Sequence, residues 1–398
     1  MRPLILSAPT GQGHNAVSKA LQAQLTSRQA DSEIKDIFTF LSPAVSSLME
    51  KGHNTLYRHF PGISGASYTY AEKHDSTFSP RSPLYRFLTA GADKLYQYAV
   101  QGGFDCVIAT HVFAALIWTR VKQRYAPPII SAFVATDYTC SPSLSESDLD
   151  AYFIPDATLA KAFIRDGIPA EKLHPLGLPV QPAFQQRMDK AKAKAALGIP
   201  ADTSHLLMMC GSMGCGPIKK LARNLADRLP ENATVVAVCG NNEKLYESMI
   251  ELQDPRLRIL GFTRQIAAYM DAADIIVTKP GGLSTTEASA KHLPMVLFNT
   301  VGGCESRNFD FYLSRGYALG SDDAEETVNL AISLAMQPDL RRQLRQTLEA
   351  AFPDNGGLKI AHHIMQAAEA YSSLQKHPSG SAGIQSDNSG HPFPEEGG

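Results

Sequence analysis

Short apolar runs recur along the chain, separated by longer segments of mixed polarity. Residues 4–8, 104–109, 129–135, 206–210, 235–239, 275–278 and 295–298 are such runs. A run without polar alternation predicts a strand covered on both faces, as in a parallel sheet. The intervening segments place apolar residues at helical spacing. In residues 15–25, Val17, Ala20, Leu21 and Leu25 fall on one face. Strand–helix alternation of this kind predicts an α/β protein, and two such series predict two doubly wound domains. The joint is Gly177-Leu178-Pro179-Val180-Gln181-Pro182, where the prolines stop both helix and central strand. The expected domains are 1–178 and 179–375. The tail, 376–398, has little apolar surface to bury and is expected to be disordered.

One stretch departs from the alternation. Residues 41–98 are irregular and interleave aromatic with basic side chains, among them Tyr57, Arg58, Tyr70, Lys73, Arg81, Tyr85, Arg86 and Phe87. Such a segment either fills its own helical core or settles into lipid headgroups.

Composition narrows the class. A chain of 398 residues exceeds one ordinary core, which agrees with two domains of roughly 180 residues. The net charge of −2 carries no basic excess, so nucleic acid is not an expected partner. No uninterrupted apolar run approaches the ~18 residues of a membrane span, and no signal peptide is read before the first strand. The six cysteines include no CxxC pair, which suits reduced cytoplasmic thiols better than zinc or disulfides.

Candidate chemistry begins at two glycine turns, each after an apolar run and before a helical one. Such a junction binds anions, because free N–H groups and the helix dipole point at the ligand. The first turn, Gly11-Gln12-Gly13-His14, fits the dinucleotide pattern through Ala16, with Asp36 twenty residues beyond it in the ribose-binding position. An NAD-dependent oxidoreductase is therefore one reading. Against it, His14 crowds the place of the pyrophosphate, and no residue pair suited to hydride transfer stands out. An imidazole at a helix start would have its pKa lowered by the dipole, which suits a general base near neutrality.

The second turn, Lys279-Pro280-Gly281-Gly282-Leu283-Ser284, leads into Thr285-Thr286-Glu287. Its glycines let backbone approach a diphosphate, and Glu287, one helical turn in, can accept from ribose hydroxyls. Cys210-Gly211-Ser212-Met213-Gly214 forms another candidate phosphate loop, and Gly261-Phe262-Thr263 closes a further strand.

These motifs, together with Ala109-Thr110-His111-Val112-Phe113, Val134-Ala135-Thr136-Asp137-Tyr138, Leu293-Pro294-Met295-Val296 and Gly303-Cys304-Glu305-Ser306-Arg307-Asn308, carry a family resemblance. From about residue 3 to 372 the chain resembles the processive diacylglycerol glycosyltransferases and monogalactosyldiacylglycerol synthases, of glycosyltransferase family 28 type. The resemblance implies a GT-B fold, two Rossmann-like domains facing across a cleft, with the UDP-sugar held mainly by the second. It implies that His14 is the catalytic base. Gly13, Gly211, Ser212, Met213, Gly281, Gly282, Leu283, Ser284 and Thr285 would approach or cradle the diphosphate. Phe262 would meet uracil through its backbone, Glu287 would hold the ribose, and Glu305 and Asn308 would read the sugar. His111 and Asp137 would lie on the cleft rim, either in the reaction or in strand-end hydrogen bonding.

Cys304 stands where members of the family often carry glutamine. A thiol is a weak hydrogen-bonding group, so the sugar stays open.

The function so implied is inverting transfer of a hexose from a UDP-sugar to a lipid acceptor such as diacylglycerol. It needs neither metal nor organic cofactor, and no paired aspartates of metal-binding type occur in a suitable position. The segment 41–98 takes the place of the family's membrane-facing region. The expected setting is cytoplasmic, peripheral on the anionic inner face of the cell membrane. Two readings of related fold stay open beside it: a nucleotide-sugar epimerase and a catalytically silent binding protein.

Overall fold

The computed structural model describes residues 1–8, 12–41, 82–211, 214, 216–298, 302–353 and 356–376. Most of the aromatic–basic segment, Ser212, Met213 and the tail from 377 therefore lie outside the described residues.

The first half forms a six-stranded, all-parallel sheet: β1 (Pro3–Ser7), β2 (Glu33–Asp36), β3 (Cys106–Ala109), β4 (Ile130–Val134), β5 (Ala151–Ile154) and β6 (Leu173–Pro175), in the order β2-β1-β3-β4-β5-β6. The second half forms another, from β7 (Ser204–Met209), β8 (Ala233–Val238), β9 (Leu257–Leu260), β10 (Ile275–Thr278), β11 (Met295–Phe298) and β12 (Leu319–Ser321). Its order is β12-β11-β10-β7-β8-β9, again parallel throughout.

The central strands are buried on both faces, as unbroken apolar runs require: every residue of β1, β3, β10 and β11 is buried. Strands absent from the sequence reading are mostly edge or outer ones. β2 (Glu-Ile-Lys-Asp), β6 (Leu-His-Pro) and β12 (Leu-Gly-Ser) are short and half-buried, so they carry no apolar run. The helix Gln12–Thr26 buries Val17, Ala20, Leu21 and Leu25 completely, the face read from their spacing.

Two packing features join the halves. An apolar cluster continues from Phe133 and Tyr152 of the first sheet, through Tyr138, Phe311 and Tyr312, to Leu207 and Leu297 of the second. The C-terminal helix Gly356–Lys376 returns to the first sheet, where Ile360, Ala361 and Ile364 pack with Ile5, Val17, Leu21 and Phe153. In sequence this helix follows the second sheet; its apolar face belongs to the first.

Among the described residues, no helix is long and apolar enough to cross a membrane.

Candidate active site

Strand order locates the site before any side chain is considered. In a doubly wound sheet, the crevice opens where consecutive connections leave a strand in opposite directions, beyond the carboxyl ends. In the first sheet that point lies between β1 and β3. The chain leaving β1 leads to Gly13 and His14, and the chain leaving β3 leads to Thr110 and His111. In the second sheet it lies between β7 and β10, whose ends lead to Gly211 and to Lys279, Pro280 and Gly281. The polar contacts between Asp137 and Asn308 show that these two ends face each other.

His14 lies in the first turn of its helix, and its Nδ1 is 2.7 Å from the Thr110 carbonyl oxygen. A carbonyl oxygen only accepts, so Nδ1 carries the proton and donates it. Nε2 is left with the lone pair of the neutral ring. Thr110 is itself held by a 2.9 Å contact between its hydroxyl and that of Ser18. Burial lowers the His14 pKa, opposed by the Asp137 carboxylate and the bond to Thr110. The ring is thus neutral and oriented at pH 7. Burial is the leading cause, rather than the helix dipole that sequence reasoning supplied. Among the described residues, a Cβ on Gly13 would meet nothing within 4 Å.

His111 packs edge-on to His14, with ring centroids 4.5 Å apart. Its Nδ1 accepts from the Phe113 N–H at 3.1 Å, capping the helix Val112–Tyr125. Of its two sequence-based roles, the structure displays the hydrogen-bonding one.

In the second half, Gly211 has φ +67°, and a Cβ there would come within 3.1 Å of Lys279 Cε. The Lys279 ammonium pairs with Glu305 Oε1, in the first turn of the helix Cys304–Ser314. Burial, followed by the Asp137 and Glu305 carboxylates, pushes the Cys304 thiol up, against the pull of Lys279. Cys304 is therefore a protonated thiol at this junction.

Glu287 is almost wholly buried on the helix Gly282–Ala290. Burial raises its pKa to about 8. A carboxyl in this state is receptive to hydroxyl donors.

Phe262 is 62% exposed. With Gly240, Asn241, Glu243, Tyr246 and Gly261 it borders a recess of about 230 Å³ at the ends of β8 and β9. Leu283 and Ser284 remain partly exposed at the helix start.

Four candidates occupy other places than the sequence suggested. Asn308, expected to read the sugar, is fully buried. Its Nδ2 donates to Asp137 Oδ1 at 2.8 Å and to the Pro280 carbonyl at 2.9 Å, while its Oδ1 accepts from the Tyr138 N–H at 2.7 Å. Both amide protons are spent, so it joins the halves instead. Gly282, expected at the diphosphate, abuts the first half: a Cβ would lie 2.2 Å from the Thr136 carbonyl oxygen. Thr285 is buried and donates its hydroxyl to the Gly281 and Gly282 carbonyls at 3.0 and 3.1 Å. Asp36, the ribose acid of the oxidoreductase reading, accepts from the Phe38 N–H and caps the turn Ile37–Phe40.

Residues 14–180 match the family model for monogalactosyldiacylglycerol synthase, and residues 205–302 match that for the glycosyltransferase family 28 C-terminal domain. The chain is a glycosyltransferase. It is 25% identical over 397 residues to the processive diacylglycerol beta-glucosyltransferase of Bacillus subtilis, covering 94% of this chain and 97% of that one. Among solved structures, Acinetobacter baumannii MurG superposes with a TM-score of 0.62 at 15% identity, covering 92% of this chain and 99% of that one. Anabaena HepE, solved in complex with UDP, gives 0.57 at 17% identity, covering 94% and 100%. The fold is GT-B.

Sequence reasoning gave this glycosyltransferase's Lys279 no role, although it quoted the turn that contains it. The available signal was a lysine directly before Pro-Gly-Gly at a strand end. Only the fold shows that Gly211, from a different strand, lies against its stem.

Proposed function

We propose that the protein transfers a hexose from a UDP-sugar to the hydroxyl of a diacylglycerol-type lipid, inverting the anomeric carbon. The observation that carries this reading is the neutral, oriented His14 ring across the cleft from an anion-receptive strand end. The acceptor oxygen attacks the anomeric carbon and yields its proton to His14 Nε2, while the C–O bond pair leaves with UDP. Loop N–H groups around Gly211 and Gly281 would stabilise that leaving charge. Glu287 would hold the ribose, and Phe262 would border the uracil. Glu305 would turn to the sugar. The reading assigns no metal or organic cofactor to the reaction, so chelator should leave the rate unchanged.

The names of the Bacillus subtilis relative and of the matched synthase family support a lipid acceptor, and the UDP complex of the HepE fold relative supports the donor. A lipid acceptor stays in its bilayer, so the enzyme would work from the anionic inner face of the membrane. Arg86 and the 42%-exposed Phe87, on the helix Pro83–Leu88, belong to the described part of the aromatic–basic stretch and suit that contact.

Purified protein should release UDP from UDP-glucose or UDP-galactose only when diacylglycerol vesicles are present, with a glycosylated lipid seen by mass spectrometry. His14→Ala should lower this rate by about 10²–10⁴-fold, the usual contribution of a general base, and still bind UDP. Retention of more than about a tenth of the rate would remove His14 from that role.

A further inference from the structure

We propose that Lys279 is the cation that receives the charge of the departing nucleotide diphosphate, and that Glu305 holds it in place until the donor arrives. The inference deepens the donor reading above and rests on it.

Position is the first support. Lys279 follows β10 directly, beside the end of β7, at the switch point of the second sheet. Two glycines leave room around it. A Cβ on Gly211 would come within 3.1 Å of its Cε, and one on Gly281 would stand 4.0 Å from both that Cε and Glu305 Oε1. The ammonium therefore sits where two glycine turns and the first turn of the helix Cys304–Ser314 converge.

Burial is the second. The side chains of Lys279 and Glu305 are 12% and 8% exposed. Withdrawing both charges from water offsets most of their attraction, so such a pair is a poor device for stability alone. It does keep an ammonium oriented at a strand end.

Chemistry is the third. When the anomeric C–O bond breaks, its electron pair stays on the β-phosphate oxygen. A helix N-terminus offers about half a unit charge to such an oxygen, whereas an ammonium offers a whole one with three donors. The arriving diphosphate, with more negative charge than one carboxylate, would take Lys279 over. Glu305 would then be released, still beside the leaving group, to accept from hydroxyls of the transferred sugar. One carboxylate thus acts in turn as counter-ion and as sugar contact, and no bond is made or broken in the exchange.

Calorimetry with UDP and with uridine tests this, because only UDP carries the phosphates. Lys279→Met should weaken UDP by about tenfold or more, the scale of a charge-assisted hydrogen bond, and leave uridine unchanged. Lys279→Arg should recover part of that loss. Glu305→Gln keeps size and hydrogen bonding but removes the competing charge, so it should tighten UDP several-fold while slowing transfer. A structural pair would behave otherwise: UDP and uridine would weaken together, or Glu305→Gln would weaken UDP, and either result overturns the proposal. If Lys279→Met does not fold, Glu305→Gln decides alone by the direction of its UDP shift. Wild-type protein that bound neither UDP nor uridine would overturn the donor reading and this inference together. Tight UDP binding indifferent to Lys279 would overturn this inference only.

Discussion

His14 and Glu287 are both displaced from their ordinary pKa values by burial, in opposite directions on the pH scale and both toward the neutral form. The imidazole goes down and stays neutral; the carboxyl goes up to about 8 and holds a proton near neutrality. For Glu287 the unfolded chain releases its proton near 4.5 and the folded chain near 8. Between these values the folded state binds more protons, so this group's effect on stability worsens as pH rises through that window. Glu287→Gln should therefore raise the melting temperature relative to the parent by more at pH 8 than at pH 5. Ribose hydroxyls favour the carboxylate, so UDP binding at pH 7 should release a proton. Calorimetry in buffers of different ionisation enthalpy should detect that release in the parent and not in Glu287→Gln. For His14, the acid limb of kcat/KM should lie below pH 6.5. Asp137 raises this pKa, so Asp137→Asn should move the limb lower still, and an unmoved limb would assign it to another group.

At the scale of elements, the contact between the helix Gly282–Ala290 and the strand-end turn Thr136–Tyr138 sets how the two halves meet. Tyr138 OH lies 2.8 Å from Thr286 Oγ1 and accepts from Tyr312 OH at 2.9 Å, all of them buried. Asn308 adds its three bonds to the same junction. Asn308→Ala would leave buried partners unsatisfied, at a cost of about 1–3 kcal/mol, seen as a lower denaturant midpoint. Gly282→Ala is the sharper probe. Its methyl would meet backbone of the opposite half at 2.2 Å, which cannot yield as a flexible side chain can. Transfer should be lost while UDP binding persists, since Lys279 and Glu287 stay on one side of the junction. Normal turnover in that variant would show that the halves separate at this contact during catalysis.

For the whole molecule, the C-terminal helix is the element that ties the end of the chain to its beginning. Ile360 is fully buried against the core of the first sheet, and His363 lies 4.2 Å, ring to ring, from His174 on β6. Ile360→Asp would place an unpaired carboxylate in that core, a change costing several kcal/mol. Two-state melting with both halves lost together would follow if the helix couples them. A first transition confined to the N-terminal half would instead mark independent domains.

The fold class was legible in the sequence because parallel strands buried on both faces must be apolar throughout, as residues 4–8 and 275–278 are. The glycine turns and His14 were legible for a related reason: they adjoin such strands, and anion binding needs that junction. Edge strands such as β2 and β12 were not, since a half-buried strand of three or four residues has no distinctive pattern. Asn308 and Gly282 could not be placed either. Motif position puts both near the donor, but whether an amide faces a ligand or a neighbouring domain depends on partners distant in sequence. Asp137 lies 171 positions from Asn308. The sequence determined which groups gather at each strand end. Only the packing of one half against the other decided which of them stay available to a substrate and which hold the cleft together.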